Sequence, residues 1–176
     1  MASGVCAMMV SSNELQMLVL KACRGVGVPV AQAQEVAVAL AQTPQALGAL
    51  LPHLAQPMKA AKFDFSAGLS VHDASLLRDF SACADAASLG VQPVRLCGIA
   101  GCDLAHALAH SRGLSIAGEG ADVVFTGPVP LPSQGARCSV VPEIWQQISH
   151  FAALTYVPET DASRLGGAGA GLSDND

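Results

Sequence analysis

Residues 11–43, SSNELQMLVLKACRGVGVPVAQAQEVAVALAQT, decide the fold because they predict two helices that fold back on each other. Ser11 and Glu14 have the spacing of a capping box, in which each side chain satisfies a free backbone donor of the first turn. Gly25 and Gly27 end the first helix, and Pro29 suits the first turn of the second. The stretch therefore predicts an N-terminal helical hairpin.

Each predicted helix carries one apolar stripe at helical spacing. The first stripe contains Leu15, Leu18, Val19, Ala22 and Cys23, and the second contains Ala33, Val36, Ala37, Leu40 and Ala41. Leu18 and Leu40 stand in the middle of their stripes. We expect both of these leucines to be buried.

Composition limits the class of protein. The chain has 176 residues, enough for one domain with a core, and its 51% hydrophobic, 13% charged and 4% aromatic residues predict a core of small aliphatic side chains. No apolar run reaches the roughly 18 to 20 residues of a membrane helix. The net charge is −5 and the nine Lys and Arg are scattered, which excludes a basic nucleic-acid surface. We expect neither membranes nor nucleic acids as partners.

The N-terminus lacks a basic segment followed by a long apolar stretch, so no secretory signal is predicted and the expected location is cytoplasmic. The six cysteines are scattered through segments that predict helix or strand, which favours reduced thiols over disulfide bonds.

The rest of the chain predicts an α+β fold. A shorter helix begins at Pro44, residues 62–70 allow a short strand, and Asp73 is placed to cap the next helix. From residue 92 onward, apolar runs bounded by glycines predict about four strands, interrupted by a helix over 102–112 and followed by one over 143–154. We expect a helical layer of the hairpin plus one or two helices, a small sheet in the second half, one domain over 1–165, and a glycine-rich tail over 166–176.

One predicted helix carries a candidate metal site. Asp103, His106 and His110 fall at i, i+3 and i+7 on one face, a geometry that can hold a transition metal with Cys97 or Cys102 as a further ligand. The simpler interpretation is the solvated face of an amphipathic helix, because no CxxC pair or third fixed ligand accompanies the histidines. We therefore expect no metal and no cofactor.

A nucleophilic pairing of cysteine and histidine is a further alternative, with Cys97, Cys102 or Cys138 as nucleophile and His72, His106 or His110 as base. Cysteines that serve as small buried hydrophobes are the simpler interpretation. His53 and His150 stand alone in the sequence.

The C-terminus carries the candidate ligand site. The glycines of GGAGAG, residues 166–171, offer backbone N–H groups to an anion. A flexible polar tail is the alternative interpretation, since no P-loop lysine or strand accompanies the glycines. The candidate residues are Tyr156, Glu159, Ser163, Arg164, Gly167 and Gly169.

Residues 11–37 and the ending TYVPETDASRLGGAGAGLSDND, residues 155–176, resemble the bacterial family known as domain of unknown function 3726. The resemblance covers about a third of the chain and rests on a Lys-Ala-x-Arg-Gly-x-Gly turn at 21–27 and on Gly-Ala-Gly-Ala-Gly-Leu at 167–172, followed by acidic residues. It implies no activity. The opening is also similar to the N-terminal helices of the malate and L-lactate dehydrogenase family that lacks a Rossmann domain, but the serine, histidine and glycine motif of those enzymes is absent.

The sequence favours a non-catalytic accessory protein. Its expected partner is a small ligand, such as a small anion, or another protein. The alternative is an enzyme acting on a small anionic metabolite at residues 156–171. In that enzyme Arg164 and the glycine backbone hold the anion, and Tyr156, Glu159 or a histidine transfers the proton.

Overall fold

The computed structural model describes residues 7–57, 59–99, 103–119, 122–133 and 135–155. Helices and strands are mixed along this chain, which confirms the α+β class. The helices are α1 (Ser12–Gly25), α2 (Val30–Gln42), a 3₁₀-helix (Pro44–Leu50), α3 (Leu51–Leu54), α4 (Leu76–Ser88), α5 (Asp103–Ser111) and α6 (Pro142–Ala153). The strands are β1 (Met8–Ser11), β2 (Lys62–Asp64), β3 (Leu69–His72), β4 (Val94–Leu96), β5 (Leu114–Glu119), β6 (Asp122–Pro128) and β7 (Arg137–Val140).

The predicted helical hairpin is present. The capping box is complete, since Ser11 N–H donates to Glu14 Oε2 at 2.7 Å and Glu14 N–H donates to Ser11 Oγ at 3.1 Å. The backbone N–H and the hydroxyl of Ser11 both donate to the Glu14 carboxyl, and these two hydrogen bonds lower its pKa. Leu40 is fully buried as expected, whereas Leu18 is only partly buried at the edge of the core. The buried stripe of α1 is therefore narrower than the sequence suggests.

Five strands form one mixed sheet in the order β2-β3-β4-β6-β5. β3 and β4 are parallel, and the other neighbours are antiparallel. Strands β1 and β7 form a separate antiparallel pair. Because β3 and β4 run in the same direction, the chain must cross over between them, and α4 makes that connection.

One face of the sheet is buried. Along β3 and β4 the buried residues Leu69, Val71, Val94 and Leu96 alternate with more exposed polar ones, as expected for a sheet with one covered face. Helix α4 packs on β3, β4 and β6, and α5 packs on β5. Helix α2 packs on α4 and α5, α1 on α2, and α6 on α1. The hairpin is thus a second helical layer above the sheet.

The four strands expected from residue 92 onward are present as β4, β5, β6 and β7, and the hairpin of β2 and β3 gives the main sheet five strands in all. Two expectations need correction. The last predicted strand, β7, leaves that sheet and pairs with β1. Asp73 does not cap α4: its backbone takes a positive φ of 54°, and the N-cap is Ser75.

Within the described ranges, no helix is both long and apolar enough to cross a membrane.

Candidate functional site

A cleft of about 610 Å³ opens at the carboxyl ends of the parallel strands β3 and β4. We call it the polar cleft. Residues 73–75 leave β3 on one side of it, residues 97–99 leave β4 on another, and α3 with the segment after it contributes a third wall. Its polar lining side chains are His53, Gln56, Lys59, His72, Asp73, Ser75 and Cys97.

The wall after β3 is fixed by a buried carboxylate. Asp79 is 5% exposed and lies in the first turns of α4. Its Oδ2 accepts the N–H of Ser75 at 2.8 Å, and its two oxygens accept Nε and Nη2 of Arg78 at 2.7 Å each. Buried carboxylates persist when they are paired and hydrogen-bonded in this way. The start of α4, with its positive dipole end, is therefore held rigidly beside the cleft.

The wall after β4 is fixed by backbone hydrogen bonds. Cys97 N–H donates to the carbonyl of Val71 at 2.9 Å, which extends the parallel ladder by one residue. Gly98 N–H then donates to Asp122 Oδ1 at 3.0 Å. Gly98 has a φ of +76°, and a Cβ there would meet open space, so glycine is required by its backbone conformation rather than by a close neighbour.

Two side chains of the polar cleft favour their uncharged forms. Burial raises the pKa of the Cys97 thiol, and the Asp122 carboxylate acts in the same direction. Burial lowers the pKa of His53 below its ordinary value. At neutral pH the thiol is protonated and the His53 imidazole is neutral, so both provide hydrogen-bonding groups rather than charges.

The two charged groups that line the polar cleft, Asp73 and Lys59, differ in their ion pairing. Asp73 forms an ion pair with Lys62 at 3.2 Å, with side chains 45% and 79% exposed respectively. Lys59 has no ion-pair partner within the part of the chain that the structure describes. Among the described residues, the positive charge of Lys59 is therefore not offset by an ion pair, whereas the negative charge of Asp73 is.

A second cleft, of about 500 Å³, lies between α5, β5 and the start of the 3₁₀-helix. We call it the apolar cleft, because Ala46, Leu114, Ile116 and Val129 supply much of its lining. The three residues of the alternative metal interpretation share this cleft, as their helical spacing predicts: Asp103, His106 and His110. All three are exposed on one helix.

Cys102, a further ligand of the candidate metal site, lies outside the described residues. Among the described residues, no group of three or more His, Cys, Asp or Glu side chains is arranged to hold a metal ion. Asp103, His106 and His110 follow one another up a single helix, and no further ligand reaches them from another described element.

Of the three candidate cysteine nucleophiles, Cys102 lies outside the described residues, and Cys97 and Cys138 lie in different surroundings. Cys97 and His72 line the same polar cleft, whereas Cys138 is buried in the core, where its thiol donates to the carbonyl of Ala41 at 3.6 Å. The described cysteines Cys23, Cys83, Cys97 and Cys138 are all free thiols. The raised pKa of Cys97 disfavours the thiolate that a nucleophile requires.

The C-terminal candidates lie outside the described residues: Tyr156, Glu159, Ser163, Arg164, Gly167 and Gly169. Their role stays a prediction.

Sequence reasoning missed the polar cleft. His53, Lys59 and Ser75 have no motif spacing. The end of β3 places Ser75 at the cleft, and α3 with the segment after it places His53 and Lys59 there. The available signal was the order strand, helix, strand over residues 69–96, which favours a crossover and a ligand site at the carboxyl ends of the strands.

Comparison with protein-family models, with curated proteins and with solved structures gave no match for this chain. The geometry of the two clefts is therefore the basis for assigning a function.

Proposed function

We propose that the protein is a non-catalytic accessory protein that binds a small anionic metabolite, with a carboxylate or phosphate group, in the polar cleft. The observation that carries the proposal is the position of this cleft at the carboxyl ends of β3 and β4. Parallel strands joined by a helix gather loop groups at this edge, and ligands of open α/β sheets bind there.

The charges of the cleft select an anion. Lys59 supplies a positive charge, and the start of α4 adds the partial positive charge of a helix N-terminus. The hydroxyl of Ser75 makes no capping hydrogen bond, so it can donate to a ligand. Asp73 opposes an anion less than an isolated carboxylate does, because Lys62 pairs with it.

Two titratable groups beside the cleft, Cys97 and Asp79, favour binding over catalysis. The thiol of Cys97 has a raised pKa, and the carboxylate of Asp79 is engaged by Arg78 and by the N–H of Ser75. Neither is poised as a nucleophile or a general base. The alternative, an enzyme with its site at residues 156–171, depends on residues outside the described ranges and receives no support from the cleft.

A thermal-shift screen tests the proposal. Inorganic phosphate, malonate and citrate are added separately to the full chain, since a ligand of the folded state raises its stability by mass action. We expect at least one of these anions to raise the melting temperature in a concentration-dependent way. Lys59→Ala should weaken the apparent affinity about tenfold, the loss of one charge-assisted hydrogen bond.

The matched control is His106→Ala, which truncates a polar side chain at the apolar cleft and should leave the response unchanged. A screen without any stabilising anion would contradict the proposal. A response that survives Lys59→Ala and disappears in His106→Ala would move the site to the apolar cleft.

A further inference from the structure

Strand β2 is an open edge of the five-stranded sheet. It pairs with β3 on one side only, and every residue of Lys62–Asp64 is exposed. No other described element covers its outer side. An uncovered edge strand presents unpaired backbone N–H and C=O groups, which can pair with another strand.

The apolar side chains of this edge are also uncovered. Phe63 is 48% exposed and Phe65 is 71% exposed, two of the five phenylalanines of the chain. Phe63 is the pairing partner of Val71, which is fully buried on the sheet face that α4 covers. Directly opposed residues project to the same face, so the apolar face of the sheet continues past α4 and ends in exposed aromatic rings.

The charges of β2 have a symmetric order. Lys62 and Asp64 flank Phe63 and project to the opposite, solvated face, since side chains alternate along a strand. In both directions along the segment, a charged residue is followed by an aromatic residue and then by a residue of the opposite charge. A second copy running antiparallel therefore meets a complementary strand.

We propose that β2 is a self-association surface, which pairs antiparallel with β2 of a second copy of this chain about a two-fold axis through Phe63. In this register Lys62 faces Asp64 of the partner subunit, and Asp64 faces Lys62 of the partner subunit. The two Phe63 rings face each other on the other side of the sheet. Such an interface uses the same patch of both copies, as two-fold symmetry requires.

Neighbouring residues fit the same register. Phe65 falls opposite Ala61 of the partner subunit, where a small side chain leaves room for the ring. The two sheets then form one continuous sheet of ten strands, twice the five of a single chain. In the single chain Lys62 pairs with Asp73, and in the dimer it exchanges this partner for Asp64 of the partner subunit. The exchange costs little stability, because the Lys62–Asp73 pair is exposed and exposed pairs contribute little.

The short edge predicts a weak dimer. Only β2 and its flanking residues meet, so the buried area lies at the low end of specific interfaces. Sedimentation equilibrium of the full chain should show the average mass rising with concentration from the monomer towards twice that mass.

Charge-swap variants test the register. Lys62→Asp places two carboxylates opposite each other at both ends of the interface, and Asp64→Lys does the same with two cations. Each single variant should raise the dissociation constant about tenfold, since like charges directly opposed are destabilising. The double variant Lys62→Asp with Asp64→Lys restores both opposite-charge pairs across the interface, but not the hydrogen bond from Ser66 N–H to Asp64 or the ion pair of Lys62 with Asp73. It should still dimerise at least about threefold more tightly than either single variant.

The matched control is Arg24→Asp on α1, which changes the net charge by the same amount and should leave the dissociation constant within about twofold. Circular dichroism confirms that each variant is folded. A monomer at every concentration, or single variants whose loss is not recovered in the double variant, would overturn the proposal. A dimer whose dissociation constant is the same in the parent, in both single variants and in the double variant would overturn it as well.

Discussion

The polar and apolar clefts differ in how their polar groups are brought together. The polar cleft collects side chains from several segments, and backbone N–H groups of two of its walls donate hydrogen bonds to Asp79 and Asp122. The charged and imidazole groups of the apolar cleft, Asp103, His106 and His110, all stand on α5. Three groups at helical spacing are what any amphipathic helix displays, whereas groups gathered by a parallel strand pair depend on the whole fold. The difference favours the polar cleft as the functional one.

The largest expected contrast between the clefts is in stability. Asp79→Asn removes the charge that Arg78 and the N–H of Ser75 share, and it should lower the free energy of unfolding by about 1–3 kcal/mol. Asp103→Asn changes an exposed carboxylate at the apolar cleft and should stay within about 0.5 kcal/mol of the parent. Urea-unfolding curves of the three proteins measure both values.

Equal losses of unfolding free energy in Asp79→Asn and Asp103→Asn would remove the contrast. They would show that Asp79 stabilises its surroundings no more than an exposed carboxylate on α5 does. A loss confined to Asp103→Asn would reverse the contrast.

A smaller contrast should appear in the pH dependence of stability. Burial lowers the pKa of folded His53 below its ordinary value of about 6.5, so the unfolded chain takes up this proton first as the pH falls. The parent should lose stability as the pH falls from about 6.5 towards the folded pKa, and His53→Gln should lose less over this window. Unfolding curves at several pH values compare the two.

An independent check is the NMR titration of the His53 ring, which should show a folded pKa below about 6.5. A ring that titrates above this value would mean that His53 is not buried beside the polar cleft.

The helical hairpin could be predicted because its signals are local. Ser11 and Glu14 fix the start of α1 through their own backbone, and the prolines and glycines act within a few residues. Burial was less predictable: Leu40 is buried and Leu18 only partly so, because the width of a stripe depends on the elements that pack against it. The shared face of Asp103, His106 and His110 was predicted for the same local reason.

The polar cleft could not be predicted from local patterns. Two of its walls follow β3 and β4, which pair in parallel although the whole of α4 separates them in the sequence. The position of β3 in turn depends on its hairpin with β2, where the sequence predicted one strand. The expected cap at Asp73 failed for a related reason: Ser75 takes the N-cap position and Asp79 accepts its N–H. Short strands carry few residues of pattern, so register and pairing are set by the tertiary fold.

The most direct test of the polar cleft as the ligand site is a backbone NMR titration of the ¹⁵N-labelled full chain with inorganic phosphate and, separately, with malonate. We expect saturable shifts with at least one anion, largest at the amides of Ser75, Leu76 and Gly98, and absent along α5. Lys59→Ala should weaken the saturation in the same spectra. Largest shifts at His106, His110 or Ile116, or no saturable shift with either anion, would contradict the assignment of the polar cleft as the anion site.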